Sequence, residues 1–268
     1  MSALCGFLPI TTIGGLLMPN LDILLRNEYQ TAYISSTTGG TGETRPVLAQ
    51  TLAGSYSFGE WGSVGGYVWT RSALTGQRDE YRRRAFESFE YGLEYEYTWK
   101  FTDDLGLYSY IDHFWSPSPG WYVRGQPLYA VTVEQAFNNP WIDPYYIFTG
   151  SYHPEQWETL KIGLRRKFKM LEDCLAVVPY GELVCGDGRR YAAKYGNSPF
   201  DTYCCVGPLA SEFGVKVTYE ITKFLSARLK LRNWNLIDHA AREREKDMDE
   251  PWHVCWLPAA SLAIDLRF

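Results

Sequence analysis

The segment FEYGLEYEYTWKF (89–101) alternates apolar and polar side chains along its whole length. The apolar residues at every second position are Phe89, Tyr91, Leu93, Tyr95, Tyr97, Trp99 and Phe101. The positions between them hold Glu90, Gly92, Glu94, Glu96, Thr98 and Lys100. Because successive side chains of a β-strand point to opposite faces, the pattern predicts one strand with an apolar face and a charged face. A helix would scatter the same residues around its circumference.

The same period of two recurs along the chain and predicts an all-β protein. It is clear in 159–168, 212–221, 226–232 and 260–268, and weaker in the segments between them. Together these segments give about twelve strands of the length that a tilted membrane strand needs. The 20 Tyr, 10 Trp and 24 Gly agree with this, since aromatic residues favour strands and glycine favours turns. The net charge of -5 gives no indication of a nucleic-acid partner.

The connections between the predicted strands alternate between short and long. FGEW, TDDL and ITKF are short, whereas STTGGTGETR and RSALTGQRDEYRRRAFES are long and polar. Turns that are short at one end and long at the other are typical of an up-and-down antiparallel β-barrel. We therefore predict such a barrel of about twelve strands over residues 25–268. Residues 1–24 are expected to form an apolar arm or a plug.

The alternation alone leaves two kinds of fold open. In a soluble sandwich or lipocalin-like barrel the apolar face packs inside, whereas in a transmembrane barrel it faces lipid and the charges line the lumen. Trp99, Trp115 and Trp141 lie near predicted strand ends, where their amphipathic rings suit the lipid headgroup region. These residues favour the transmembrane barrel. We also expect an export signal to have been removed from this numbering.

The C-terminal strand resembles the assembly signal of bacterial outer-membrane β-barrel proteins. It carries apolar residues at every second position and ends in phenylalanine: Ala260, Leu262, Ile264, Leu266 and Phe268. In that family the insertion machinery recognises the strand by strand addition. The resemblance implies a location in the bacterial outer membrane, periplasmic termini, and contact with membrane lipid and lipopolysaccharide. Within the family, the opening EYQTAYISS and the strand number resemble small porins of the TorF type.

Charged residues of the predicted inner face segregate by strand. The acidic set is Glu90, Glu94, Glu96, Asp112 and Glu134, and the basic set is Lys161, Arg165, Lys216, Arg228, Lys230, Arg232 and Arg267. In a closed ring the two sets would face each other across the lumen. Such a transverse field predicts a narrow porin-like channel for small polar solutes. The same charges could instead pair with one another and leave a non-conducting structural or surface-interaction barrel.

A lipid-modifying outer-membrane enzyme is a further alternative. It would need a Ser or His nucleophile system near the lipid-facing rim, and HFWS places Ser116 three residues after His113. A pair at this spacing arises by chance in many chains. The sequence contains no cofactor-binding motif, and the spacing of its Cys and His residues matches no usual zinc site. We therefore predict neither a cofactor nor a metal.

Four of the six cysteines fall in or next to predicted loops: Cys185, Cys204, Cys205 and Cys255. This placement favours disulfides in an oxidising compartment. We expect Cys185 to pair with Cys204 or Cys205, and the remaining one of that adjacent pair to reach Cys255. Free thiols are the alternative.

Overall fold

The computed structural model describes residues 20–34, 42–43, 46–74, 88–118, 128–153, 157–186, 207–238, 242 and 256–268. Most of them lie in strands: β1 (Leu21–Gln30), β2 (Tyr33–Ile34), β3 (Gly42–Glu43), β4 (Val47–Ser57), β5 (Ser63–Ala73), β6 (Ser88–Lys100), β7 (Gly106–Ser118), β8 (Leu128–Asn138), β9 (Asp143–His153), β10 (Trp157–Arg165), β11 (Phe168–Met170), β12 (Leu175–Gly186), β13 (Gly207–Thr222), β14 (Leu225–Leu236) and β15 (Trp256–Arg267). Across these residues, no helix is long and apolar enough to span a membrane.

Twelve strands form a closed antiparallel ring, which confirms the predicted fold class. Their order around the ring follows the chain: β1, β4, β5, β6, β7, β8, β9, β10, β12, β13, β14 and β15. The last strand then pairs with the first, with Leu25 opposite Leu266 and Arg26 opposite Asp265. The short β11 pairs with β12 outside this count, and β2 pairs with β3 in a separate hairpin. Closure gives each ring strand a neighbour on both sides, so its backbone groups do not depend on water.

Short and long connections lie at opposite ends of the barrel. The short end holds 58–62, 101–105, 139–142, 166–174 and 223–224, and the other end holds 31–46, 74–87, 119–127, 187–206 and 237–255, with 154–156 as its one brief connection. At the short end, Ile23 and Phe268 exchange backbone hydrogen bonds of 3.1 and 2.9 Å. The first strand already begins at Leu21, inside the segment that we assigned to an arm or plug, and residues 1–19 lie outside the described residues.

The two faces of the sheet differ as the alternation requires. Tyr95, Leu229 and Ile264 are exposed on the outer face, although they belong to three different strands. On the inner face, by contrast, Asp112 and Asp265 are buried. The soluble alternative, in which the apolar face packs inside the barrel, is therefore wrong.

An apolar cluster lies inside the barrel near the long-connection end of β12–β15. Its largest members are Leu209, Trp234, Leu236 and Leu257, all of them buried. Trp234 lies opposite Leu257 and Glu212, so the cluster borders directly on the charged part of the inner face. The interior is consequently narrowed on this side.

Candidate functional site in the barrel interior

The predicted acidic residues lie together on the inner face of three consecutive strands. Glu90, Glu94 and Glu96 share β6, Asp112 lies opposite Glu94 on β7, and Glu134 follows on β8. Asp112 is buried, and its Oδ1 has no hydrogen-bond partner in the part of the chain that the structure describes. These side chains form a negative wall, which we call the acidic wall.

Tyrosine hydroxyls, which the sequence analysis did not consider, hold the carboxylates of the acidic wall. The Tyr67 hydroxyl lies 3.0 Å from carboxylate oxygens of both Glu90 and Asp112. The Tyr110 hydroxyl donates to Glu94 at 2.9 Å. A neutral hydroxyl orients a carboxylate without cancelling its charge. The tyrosines therefore fix the positions of the carboxylates to which they are hydrogen-bonded.

Three inward tyrosines each lie over a glycine of the neighbouring strand. The directly opposed pairs are Tyr67 and Gly92, Tyr145 and Gly163, and Tyr180 and Gly214. A Cβ at Gly163 would come within 2.5 Å of the Tyr145 ring, and one at Gly214 within 2.9 Å of the Tyr180 hydroxyl. The absence of a Cβ therefore lets each tyrosine ring lie along the wall instead of projecting toward the barrel axis.

The facing wall is not uniformly basic, because carboxylates alternate with its cations. Lys161 lies 3.5 Å from Glu182, and Lys230 lies 3.1 Å from Glu212. Arg232 is 3.9 Å from the second oxygen of Glu212. The cations belong to the predicted set of lumen residues, whereas Glu182 and Glu212 were not predicted. We call this side, on β10 and β12–β14, the mixed wall.

Cations of the mixed wall also lie over tyrosine rings. The Lys216 and Lys230 ammonium groups are 5.3 and 5.2 Å from the centre of the Tyr180 ring. The Arg165 guanidinium is 4.9 Å from the centre of the Tyr145 ring. The hydroxyl of each of these rings donates to a carboxylate of the same wall. Each tyrosine thus contacts a cation through its face and an anion through its edge.

Two ion-pair systems link strands of the inner face. One joins two strands that are not neighbours, and the other lies where the last strand of the ring pairs with the first. Arg165 on β10 donates to Glu134 on β8 at 2.8 Å and so spans β9. Asp265 on β15 accepts hydrogen bonds of 2.8 and 3.1 Å from Arg26 on β1. Arg228 on β14 forms an ion pair with the same carboxylate at 3.0 Å. Because the Asp265 side chain is only 2% exposed, this closing seam depends on a nearly dry carboxylate.

Several inward cations nevertheless keep part of their surface accessible. The side chains of Arg228 and Lys230 are 33% and 28% exposed, although both point into the barrel. Arg267, inward at the short-connection end, is exposed as well. The interior therefore offers a polar surface that water can reach.

His113 and Ser116 lie on opposite faces of β7. His113 is on the outer face, where its ring stacks on Tyr152 at 5.9 Å between centres and contacts the tyrosine hydroxyl. Ser116 is buried inside and donates to the carbonyl of Phe89 at 2.6 Å. Since residues three apart in a strand always face opposite sides, the expected His–Ser pair is not assembled. The enzyme alternative loses its candidate residues.

Cys185 is the second-last residue of β12 and so lies next to the long connection 187–206, within the range of the prediction. Cys185 lies opposite Leu160 on β10 and Pro208 on β13. The strand extends beyond Cys185 because β12 pairs with both of these neighbours as far as Gly186. Within the described residues, Cys174 and Cys185 are free thiols. Cys204, Cys205 and Cys255 lie outside the described residues, and the described residues give no support to the predicted disulfides.

The residues of the expected assembly signal share the outer face of β15. Leu262, Ile264 and Leu266 are exposed there. The backbone of Ala260 bonds the Thr31 hydroxyl, which donates to its carbonyl at 3.2 Å and accepts from its N–H at 2.9 Å. Recognition of this strand by the insertion machinery stays a prediction. In the structure, β15 is the strand that closes the ring by pairing with β1.

No protein-family model matches the chain, and no curated protein matches it in sequence. Solved structures do resemble it. One is an outer-membrane channel from Pseudomonas putida F1, with a TM-score of 0.58 and 9% identity over 93% of this chain and 96% of that one. Another is the NanC porin, with a TM-score of 0.50 and 7% identity over 91% and 98% of the two chains. The comparisons do not support the narrower resemblance to TorF-type porins. At these identities the likeness shows the fold, a closed β-barrel of the kind found in outer-membrane porins and channels.

Proposed function

We propose that the protein is a narrow channel of the bacterial outer membrane that passes small polar solutes. The observation that carries this proposal is the inversion of the two barrel faces. Apolar side chains are exposed outside, while charged side chains that remain partly accessible line the inside. A soluble barrel would enclose its apolar face. The inverted arrangement suits lipid on the outside and an aqueous path within.

Exposed aromatic residues at both ends of the strands support the membrane location. Trp61 and Trp141 are exposed in connections at the short end, and Trp115 and Tyr152 near the long end. Amphipathic rings of this kind suit the two headgroup regions. Membrane barrels carry their short turns on the periplasmic side, so both termini would be periplasmic and the long connections would face lipopolysaccharide. The insertion machinery would engage β15 during assembly.

The interior supports a polar path of limited width. A ring of this size leaves little room once long side chains fill it, and the cluster around Trp234 narrows it further. Tyrosine rings that lie along the wall over Gly92, Gly163 and Gly214 leave more space than rings that point to the axis. Between the acidic wall and the mixed wall, a small polar solute would be oriented by the field across the lumen.

Reconstitution into planar lipid bilayers tests the channel. We expect discrete conductance steps from the folded protein and none from the same preparation after heat unfolding. Insertion should be verified independently by co-flotation with lipid vesicles. A protein that inserts but stays silent at all voltages would contradict the channel.

A buried ion pair favours one alternative to the channel, which is a non-conducting structural barrel. The side chains of Lys161 and Glu182 are only 10% and 9% exposed, so this part of the interior is closed to water. This pair joins neighbouring strands of the mixed wall. If similarly buried side chains filled the rest of the cross-section, no solute would pass, and any binding function would belong to the long connections. Swelling of protein-containing vesicles in small sugars and amino acids distinguishes the two, because only the channel would admit the solutes.

A further inference from the structure

A row of polar side chains crosses the outer, apolar face of the barrel. Asn27 on β1 lies opposite Gln50 on β4, which lies opposite Thr70 on β5. The Gln50 Nε2 amide donates to Asn27 Oδ1 at 2.9 Å, and both side chains are exposed. The three residues therefore form one continuous polar strip across three strands, which we call the amide row.

Apolar residues flank the amide row on most of its sides, although Ser72 takes the next outward position of β5 toward the long end. Leu25 and Tyr29 precede and follow Asn27 on the outer face of β1, and Ile264 lies opposite it on β15. Leu52 and Val68 take the next outward positions of β4 and β5 toward the short end. On β1 and β4 the amide row thus has apolar outward neighbours toward both ends of the strand, with Leu48 on the long-end side of Gln50.

The hydrogen bond inside the amide row leaves further donors and acceptors of the row without a partner. Neither Asn27 Nδ2 nor Gln50 Oε1 has a hydrogen bond to any residue that the structure describes. A second outward amide, Gln135, contrasts with this arrangement: it donates to Ser109 at 3.4 Å and accepts from Tyr146 at 2.8 Å. In hydrocarbon, where water supplies no replacement, unpaired amide groups are costly.

A pair of glycines lies on the same surface, one outward position beyond Leu52 and Val68. Gly54 and Gly66 are directly opposed on β4 and β5. A Cβ at Gly54 would have only one neighbouring atom within 4 Å, the Asp22 carbonyl oxygen at 3.9 Å. At Gly66, by contrast, the Leu93 side chain lies 3.5 Å from the Cβ position. Another membrane segment can therefore approach the backbone closely at Gly54.

We infer that this surface packs against the same surface of a second copy of the chain, as a two-fold dimer in the plane of the membrane. Two copies inserted in the same direction are related by an axis along the membrane normal, so equal heights meet. The amide row of one copy then faces the amide row of the other, with the central Gln50 beside the axis. Because a carboxamide carries both donors and an acceptor, the two Gln50 side chains can bond each other reciprocally at the axis. The inference rests on the membrane location in the proposed function but not on conductance.

Replacing both amides tests the dimer. We expect wild-type protein in phosphatidylcholine vesicles to give a cross-linked dimer, and to sediment as a dimer in detergent. The double variant Asn27→Leu, Gln50→Leu should raise the dimer dissociation constant by about tenfold or more. Gln135→Leu, which removes an outward amide elsewhere on the barrel, should leave the dimer intact. Gly54→Leu should weaken the dimer by adding bulk at the close approach.

Folding and membrane insertion are followed separately by heat-modifiable migration on gels and by co-flotation with vesicles. Wild-type protein that co-floats as a monomer at every protein-to-lipid ratio would overturn the dimer alone. A double variant that dimerises as well as wild type would do the same. Failure of the wild type to co-float would overturn both the membrane location and the dimer.

Discussion

Tyr67 lies directly over Gly92, its partner on the neighbouring strand. A Cβ on Gly92 would come within 2.5 Å of the Tyr67 ring and 2.6 Å of Asp112 Oδ1. The ring can therefore cross β6 and reach a carboxylate on the strand beyond it. Since the same tyrosine-over-glycine arrangement recurs at two other places on the inner face, it is a repeated means of holding carboxylates at the wall while keeping aromatic bulk away from the axis.

Substituting Gly92→Ala should therefore destabilise the barrel and narrow its lumen. The new methyl group would displace Tyr67 and lengthen its bonds to the carboxylates, at a cost of about 1–3 kcal/mol. The temperature of thermal unfolding, measured by heat-modifiable migration on gels, should decrease. The single-channel conductance should decrease as well. Gly181→Ala is the matched control, because a Cβ there meets nothing within 4 Å. Equal stability of the two variants would contradict the proposed packing.

Neutral substitutions on the two walls should shift ion selectivity in opposite directions. Glu94→Gln keeps an acceptor for Tyr110 but removes a negative charge, so the reversal potential under a salt gradient should move toward anion preference. Lys216→Gln should move it toward cations.

Glu60→Gln is the control, because Glu60 lies in the short connection 58–62, away from the lumen. This substitution should leave the reversal potential unchanged. Shifts of the same sign for Glu94→Gln and Lys216→Gln would show that the walls do not act as separate charge filters.

Asp265→Asn should weaken the closing seam of the ring. The substitution leaves Arg26 and Arg228 without their shared carboxylate. Because their side chains are 23% and 33% exposed, water can solvate part of the freed charge, and the expected cost is about 1–3 kcal/mol. Urea unfolding from lipid vesicles measures the change. The exposed Lys169–Asp173 pair provides the control, since Asp173→Asn should cost about 0–1 kcal/mol. If both substitutions had the same small effect, the seam would not depend on Asp265.

Strand positions could be predicted from the sequence because the alternation of faces is local information. The alternating segment 89–101 corresponds to β6 at Ser88–Lys100. The terminal segment 260–268 falls in β15, which begins earlier, at Trp256, because its pairing with β14 extends to Asn235. The closed ring followed from the alternation of short and long connections, which needs no knowledge of individual contacts.

The contacts inside the lumen could not be predicted, because they depend on the register of the whole ring. Arg26 and Asp265 meet although 239 residues separate them. Glu182 was missed because Val177, Val178 and Pro179 interrupt the alternation in its strand and hide its phase. Glycines on charged strand faces, such as Gly92, were the available sign of the tyrosine contacts, since a glycine inside a strand often marks a close approach.

If the outer face contacts hydrocarbon, the loss of stability caused by an arginine on that face should depend on its depth in the bilayer. Leu93, in the middle of β6, is 69% exposed, and Leu93→Arg should destabilise the inserted protein by about 2–4 kcal/mol near the bilayer centre. Val64, exposed next to a short connection, provides the depth control, since Val64→Arg should cost about 0–1 kcal/mol near the interface. Urea unfolding from vesicles measures both. If neither arginine changed stability in lipid, the outer face would be in water, and both the membrane location and the channel would have to be abandoned.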